Sequence, residues 1–325
     1  MKKILPFLMI ALGASLWGII AVFVKGLGEF GFSAMEIVAV RVFFAAIFLV
    51  LFGIMRFRNR FKLESASDIR FFVGTGILSI VFFNYCYFTA MNQISISLAV
   101  VLLYTAPAFV TILSYLFLKE GINLRKVAAV AGTIVGCILV AGLSAGSSDI
   151  TLLGILTGLG AGFGYALYTI FGKFALRKYH PFTVTLYTFL IASVFLIPVT
   201  KLWTKASVFL NTEVLFLSIG LGFVPTVLAY FVYTWGLEKT DGSRAAVIAT
   251  VEPVVAMLLG VTLYGESLGA VQIAGALLLL SSVIIVNLPA KRKNAGIVAE
   301  SGKLEHSNTP SIVERSVFST KAYIL

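Results

Sequence analysis

The chain has 325 residues, 59% of them hydrophobic and 12% charged, against about 45–50% and about 25% in soluble domains. That balance excludes a soluble globular fold and makes lipid the solvent for most of the protein. The net charge of +11 would suit a nucleic-acid partner only if the basic residues formed one binding face, and their placement, traced below, leaves no nucleic-acid role.

Apolar runs of about 17–25 residues predict ten membrane-spanning helices, at 5–25, 33–55, 71–91, 98–118, 126–143, 152–172, 181–200, 214–236, 245–264 and 270–288. The fold class expected is therefore an all-α polytopic membrane protein. The first run follows Lys2 and Lys3 and looks like a secretory signal, with Ala11-Leu12-Gly13 as a passable cleavage site. It continues through Trp17 and Phe23 to Val24, long enough to cross a bilayer, so an uncleaved first helix is expected.

Arg41 lies inside span 2, where a lone charge costs about 2.5–3.5 kcal/mol on insertion scales. A structural ion pair and a substrate role both fit it; Glu36, nearer the outer end, reads as interfacial. Span 3 carries Asn84, Tyr85 and Tyr87, span 4 carries Tyr104 and the helix breaker Pro107, and Glu120 follows span 4. Carboxylates just beyond a span and before the next helix, as at Glu120 and Glu266, complement a helix dipole.

Span 6 reads LLGILTGLGAGFGYALY. No strand precedes its glycines, so a dinucleotide fingerprint fails its context. Gly154, Gly158 and Gly162 share one face, and Gly160 with Gly164 a neighbouring one; such spacing lets membrane helices approach closely. Tyr165 and Tyr168, and in span 8 Tyr230 and Tyr233, are three apart and share a face in each pair. With Trp17, Asn84, Tyr87 and Tyr104 they suit a cavity for a small amphiphilic solute, since buried hydroxyls need partners. Packing accounts for any one of them alone, and Trp235 reads as an interfacial anchor.

The polar, mixed-charge stretch 289–325 is expected to be a disordered tail. With an inner N-terminus, the loops and ends place 18 Lys and Arg inside and three (Lys25, Lys201, Lys205) outside. The positive-inside rule is met by that asymmetry, so the basic excess is topology.

Shifting the chain by 146 residues superposes 82–140 on 228–286 without a gap. Tyr87 then meets Tyr233, Ser97 meets Ser243, Pro107 meets Pro253 and Glu120 meets Glu266. Residues 1–145 and 146–288 thus read as two five-span repeats. Five is odd, so the halves have opposite orientations, a device of secondary transporters whose sites lie at paired helix breaks; Pro107 and Pro253 are such a pair of helix-break and gating candidates.

The segments LYTAPAFVTILSYLFLKEGINLRKVAAVAGTIVGCILV and ATVEPVVAMLLGVTLYGESLGAVQIAGALLLLSSVIIV, with LWGIIAVFVK near the start and Arg41 in span 2, resemble the repeats of EamA-type transporters of the drug/metabolite transporter superfamily over about residues 7–288. The resemblance implies ten helices, cytoplasmic termini in a bacterial inner membrane, and export of small metabolites, often amino acids. Two departures bear on substrate: Ala106 precedes Pro107 where Glu252 precedes Pro253, and Tyr165 stands where many second repeats carry Trp.

Other chemistries lack their residues. Two cysteines and two histidines make no disulfide framework or metal centre, and there is no Walker A or HExxH pattern. The expected partners are the bilayer, a small-molecule substrate and coupled protons, with no cofactor. Drug or cation efflux is the second reading, and a non-transporting scaffold or receptor a third that would need no inverted repeat.

Glu252 is the residue on which the site expectation centres. It lies seven residues into span 9, roughly 10 Å at 1.5 Å per residue. Pro253 removes an N–H and frees the carbonyl at Ala249, and such freed groups are tolerated where they line a cavity or are buried in protein. Glu252 either receives a substrate amino group or carries a coupling proton; or, bonded to Tyr or Asn or paired with Arg41, it fixes helix packing.

Overall fold

The computed structural model describes residues 4–141, 151–265 and 267–288. The repeat boundary at 145/146, Glu266 and the tail 289–325 lie outside the described residues. Within them, ten stretches are long and apolar enough to cross a membrane: Leu5–Glu29, Ala34–Arg56, Ala66–Met91, Ile96–Leu118, Leu124–Ala141, Leu152–Ala175, Pro181–Thr200, Thr212–Glu238, Gly242–Tyr264 and Ala270–Asn287. They are numbered as spans 1 to 10. The architecture is all-helical, in two inverted five-span halves.

Local sequence starts these helices. Ser33 and Glu36 form a capping box at span 2, so Glu36 serves the helix start. Ser95, Thr151, His180 and Asn211 each accept a backbone N–H at the first turn of spans 4, 6, 7 and 8. Spans 4 and 9 end in left-handed residues, Lys119 at φ 58° and Gly265 at φ 67°, which are equivalent under the 146-residue shift.

The packing repeats across the halves. Span 1 lies against spans 8 and 9, as span 6 lies against spans 3 and 4; span 2 meets span 8 as span 7 meets span 3. Spans 5 and 10 pair with each other. There a Cβ at Gly275 would sit 2.8 Å from the Gly136 carbonyl oxygen, so the two backbones touch. The span 6 glycines act as expected: Gly158 and Gly162 meet Leu102 of span 4, and Gly160 and Gly164 meet Phe82 of span 3.

Two pairs of irregularities shape the centre. Span 4 breaks between Leu103 and Ala106, and span 9 between Ala249 and Glu252. Each proline then sits in the first turn of the second half-helix, where its missing N–H costs nothing. Hydroxyls of Thr105 and Thr250 donate back to carbonyls three residues earlier, at 2.6 Å each. Spans 3 and 8 carry π-helical segments, Gly74–Val81 and Phe223–Leu228; the 146-residue shift overlays them in part. In span 8 Pro225 falls inside the segment, a recognised cause of such a register change.

Charged loop residues gather at one end of the bundle, here the basic end. Span 3, expected over 71–91, starts earlier, with Asp68 in the 3-10 turn that opens it. Buried there, Asp68 accepts from Lys178 Nζ at 3.0 Å and from the Tyr179 hydroxyl at 2.6 Å.

Candidate functional site

The broken and π-helical spans face two recesses that share Tyr165. The larger, with about 290 Å³ of space between its lining atoms when open solvent is included, is lined by Trp17, Ser79, Ile80, Phe83, Tyr165, Tyr168, Thr169, Tyr230 and Tyr233. The smaller, with about 220 Å³ counted the same way, is lined by Leu103, Tyr104, Ala106, Pro107, Tyr165, Ala246, Ala249 and Thr250. Small side chains from both broken spans therefore open the space beside the breaks.

Trp17 organises the larger recess. Its ring centroid is 4.9 Å from Tyr230, 4.8 Å from Tyr233 and 6.2 Å from Tyr165, distances typical of favourable aromatic pairs. Span 1 brings it there because Gly13, one turn earlier, lets the backbone approach the Ala229 carbonyl of span 8. The Trp17 indole N–H is buried with no partner among the described residues, so the recess wall holds an unused donor.

The tyrosines divide into two sets. Tyr168 shares a hydrogen bond with Thr234 at 2.7 Å, Tyr233 meets Thr169 at 3.4 Å, and Tyr230 accepts from Arg41 Nη2 at 3.3 Å. These hydroxyls are already held. Tyr87, Tyr104 and Tyr165 have no hydroxyl hydrogen bond among the described residues, and all three lie within the electrostatic reach of Glu252. The rings of Tyr87 and Tyr165 pack on Phe83, the first stacked and the second edge-on.

Glu252 begins the second half of span 9 and is half-buried. It forms no hydrogen bond or salt bridge within the described residues, though Arg41 is near enough to interact through space. Arg41 is held elsewhere: its Nε donates to Thr226 Oγ1 at 3.0 Å and its Nη2 to Tyr230. Thr226 in turn donates to the Leu221 carbonyl at 2.7 Å, inside the irregular stretch of span 8. The guanidinium thus braces span 2 against span 8, and no direct ion pair with Glu252 forms. Asn84 is likewise turned to its own helix, its amide donating to the Ile80 carbonyl at 2.7 Å, and it lines neither recess. Pro253 is buried at its break and Pro107 lines the smaller recess.

Several lining residues escaped the sequence reading: Ser79, Thr169, Phe83 and Thr250. A hydroxyl within an apolar span was the available signal for three of them. Thr226 as the partner of Arg41 had no such signal, since the two are 185 residues apart.

Ten spans in two inverted halves with paired helix breaks are the architecture of secondary membrane transporters. The sequence pattern of the EamA-like transporter family matches residues 4–142 and again 152–288. The chain belongs to that family. It is 26% identical over 280 residues to an uncharacterized transporter of Archaeoglobus fulgidus, covering 85% of this chain and 94% of that one. It is 31% identical over 214 residues to the uncharacterized transporter YwfM of Bacillus subtilis, covering 64% and 71%. The uncharacterized inner membrane transporter YicL of Salmonella typhimurium is 23% identical, with 87% and 95% covered. A solved crystal structure shares the fold with a TM-score of 0.71 at 17% identity, over 87% of this chain and 96% of that one.

Proposed function

We propose that this transporter exports small amphiphilic metabolites, amino acids first, across a bacterial inner membrane by alternating access, with both termini cytoplasmic. The observation that carries the reading is Glu252: a carboxylate at a helix break that has no hydrogen bond or ion pair among the described residues, with the unengaged hydroxyls of Tyr87, Tyr104 and Tyr165 within its electrostatic reach. An ammonium group or a coupling proton supplies what that carboxylate lacks, because an unpaired charge within a membrane span is costly. The aromatic wall of Trp17, Tyr165 and Tyr230 offers ring faces to an apolar side chain or to a cation.

Phosphate-bearing solutes fit poorly. Their recognition calls for Arg or Lys clamps, and Arg41, which reaches the recess wall at Tyr230, is already held by Thr226 and Tyr230. Drug or cation efflux stays the second reading, because Glu252 serves an organic cation as well as it serves an amino acid. Counterflow by the purified protein in liposomes tests the class: amino acids or organic cations should exchange, while transport of a sugar phosphate or nucleotide sugar would overturn it. Reporter fusions at Ala145 and at the C-terminus should report opposite compartments; the same compartment for both contradicts the topology.

A further inference from the structure

Glu120 was expected to serve the helix that follows it, and the structure gives it a different partner. Its carboxylate reaches the start of span 9, where it accepts from the Gly242 N–H at 2.6 Å, the Ser243 N–H at 3.2 Å and the Ser243 hydroxyl. Lys126, at the start of span 5 and itself buried, lies 3.6 Å from Glu120 and 3.7 Å from Asp241. One carboxylate thus ties the end of span 4 to the first turn of span 9, where free N–H groups and the dipole favour an anion.

This bridge sits under the recess. A Cβ at Gly242 would lie 2.9 Å from Ser114 Oγ of span 4, 3.0 Å from Thr169 Cγ2 of span 6 and 3.3 Å from Glu120, so three spans converge there. Ala246, one helical turn further along span 9, already lines the smaller recess. The packing is one-sided. The second half of span 4 lies on the first half of span 9, whereas the opposite halves have no comparable packing among the described residues.

We propose that Glu120 is the positioning residue that closes the basic end of the transport path, holding spans 4 and 9 together there while the opposite end is free to open. The proposal rests on the alternating-access reading above. Release of the bridge lets the first half of span 9 swing from span 4 and gives the basic side access to the recess. The 146-residue shift pairs Ser243 with Ser97 and Glu120 with Glu266, so the chain carries a second copy of both partner types.

The test is cysteine accessibility in oriented vesicles. In full-length protein with Cys86 and Cys137 replaced by alanine, Ala246→Cys reports on the recess and Lys62→Cys, in the exposed loop after span 2, marks the basic side. A membrane-impermeant maleimide is applied from each face. Three hydrogen bonds to a charge are at stake, so Glu120→Gln should raise labelling of the recess cysteine from the basic side by about tenfold or more. Ser243→Ala, which keeps the carboxylate and both N–H bonds, should give a smaller rise, and Lys62→Cys should label equally in all backgrounds. Unchanged labelling in both variants overturns the proposal; if Glu120→Gln fails to fold, Ser243→Ala alone decides. Labelling of Lys62→Cys from the periplasmic face would overturn the topology instead, with the bridge still judged from whichever face that cysteine marks.

Discussion

Gly13→Ala is a one-carbon perturbation aimed at the aromatic recess from outside it. The new Cβ would lie 2.7 Å from the Ala229 carbonyl oxygen and 2.9 Å from Tyr233 Cβ, where ordinary contact begins at 3.4 Å. Backbone cannot step aside as a flexible side chain does, so spans 1 and 8 must part by about 0.7 Å, a cost of about 1–3 kcal/mol for overpacking. Trp17 is four residues on, on the same helix face, and moves with the span away from Tyr230 and Tyr233. Gly28→Ala is the matched control: it is helical, exposed, and its Cβ would meet nothing within 4 Å, so it should be neutral or slightly stabilising. Thermal unfolding of purified protein should put Gly13→Ala lower than the control by roughly 2–10 °C. In a background with Trp203 and Trp235 replaced by Phe, the emission of Trp17 should shift only in Gly13→Ala. Equal melting temperatures and identical emission for the two variants would refute the close approach that places Trp17.

Arg41→Lys loses the fork that reaches Thr226 and Tyr230 together, so a cycle with Thr226→Val should show a coupling of about 1 kcal/mol or more; additive melting shifts would contradict the brace. Burial pushes Glu120 up, but the Ser243 hydroxyl, the Gly242 and Ser243 amides and Lys126 outweigh it and hold its carboxyl below the usual 4.5. The bridge contributed by this lowered group is therefore present above 4.5 and lost as pH falls below it. Accessibility of the recess from the basic side should then be flat across neutral pH, and a rise centred near neutrality would count against an ionised Glu120 as the tie. His180 Nδ1 accepts the Phe182 N–H at the start of span 7, and burial, then Arg60, holds the imidazole below 6.5. Its capping contribution is present above 6.5 and lost as pH falls through the lowered value. His180→Ala should thus cost about 1 kcal/mol at pH 8 and less in mild acid, measured by thermal unfolding at the two pH values.

Long features of this fold were legible because they depend on local composition. Ten apolar runs, the proline pair and the glycine faces of span 6 could each be read from a window of residues, and the structure places the helix breaks beside those prolines. The π-helical segments were not legible: an i→i+5 register leaves no mark on an apolar string such as GTGILSIV, and Pro225 was the single hint. Side-chain commitments were also hidden. Asn84 and Tyr87 read alike as polar groups on span 3, yet Asn84 turns back to Ile80 while Tyr87 packs its ring on Phe83 within the electrostatic reach of Glu252. The partner of Glu120 lies 122 residues away, beyond any spacing argument, although its identity with Glu266 under the repeat marked it.

On the proposed function, Glu252 acts on the substrate's amino group or on a coupling proton. Glu252→Gln keeps the shape and removes the charge, and Glu252 has no protein hydrogen bond to lose among the described residues. Transport by the variant in liposomes, measured across pH against wild type with thermal stability in parallel, tests this directly. A large loss of transport, a flattened pH profile and a melting temperature close to wild type are expected. Normal transport with an unchanged pH profile would contradict it and leave Glu252 a packing residue.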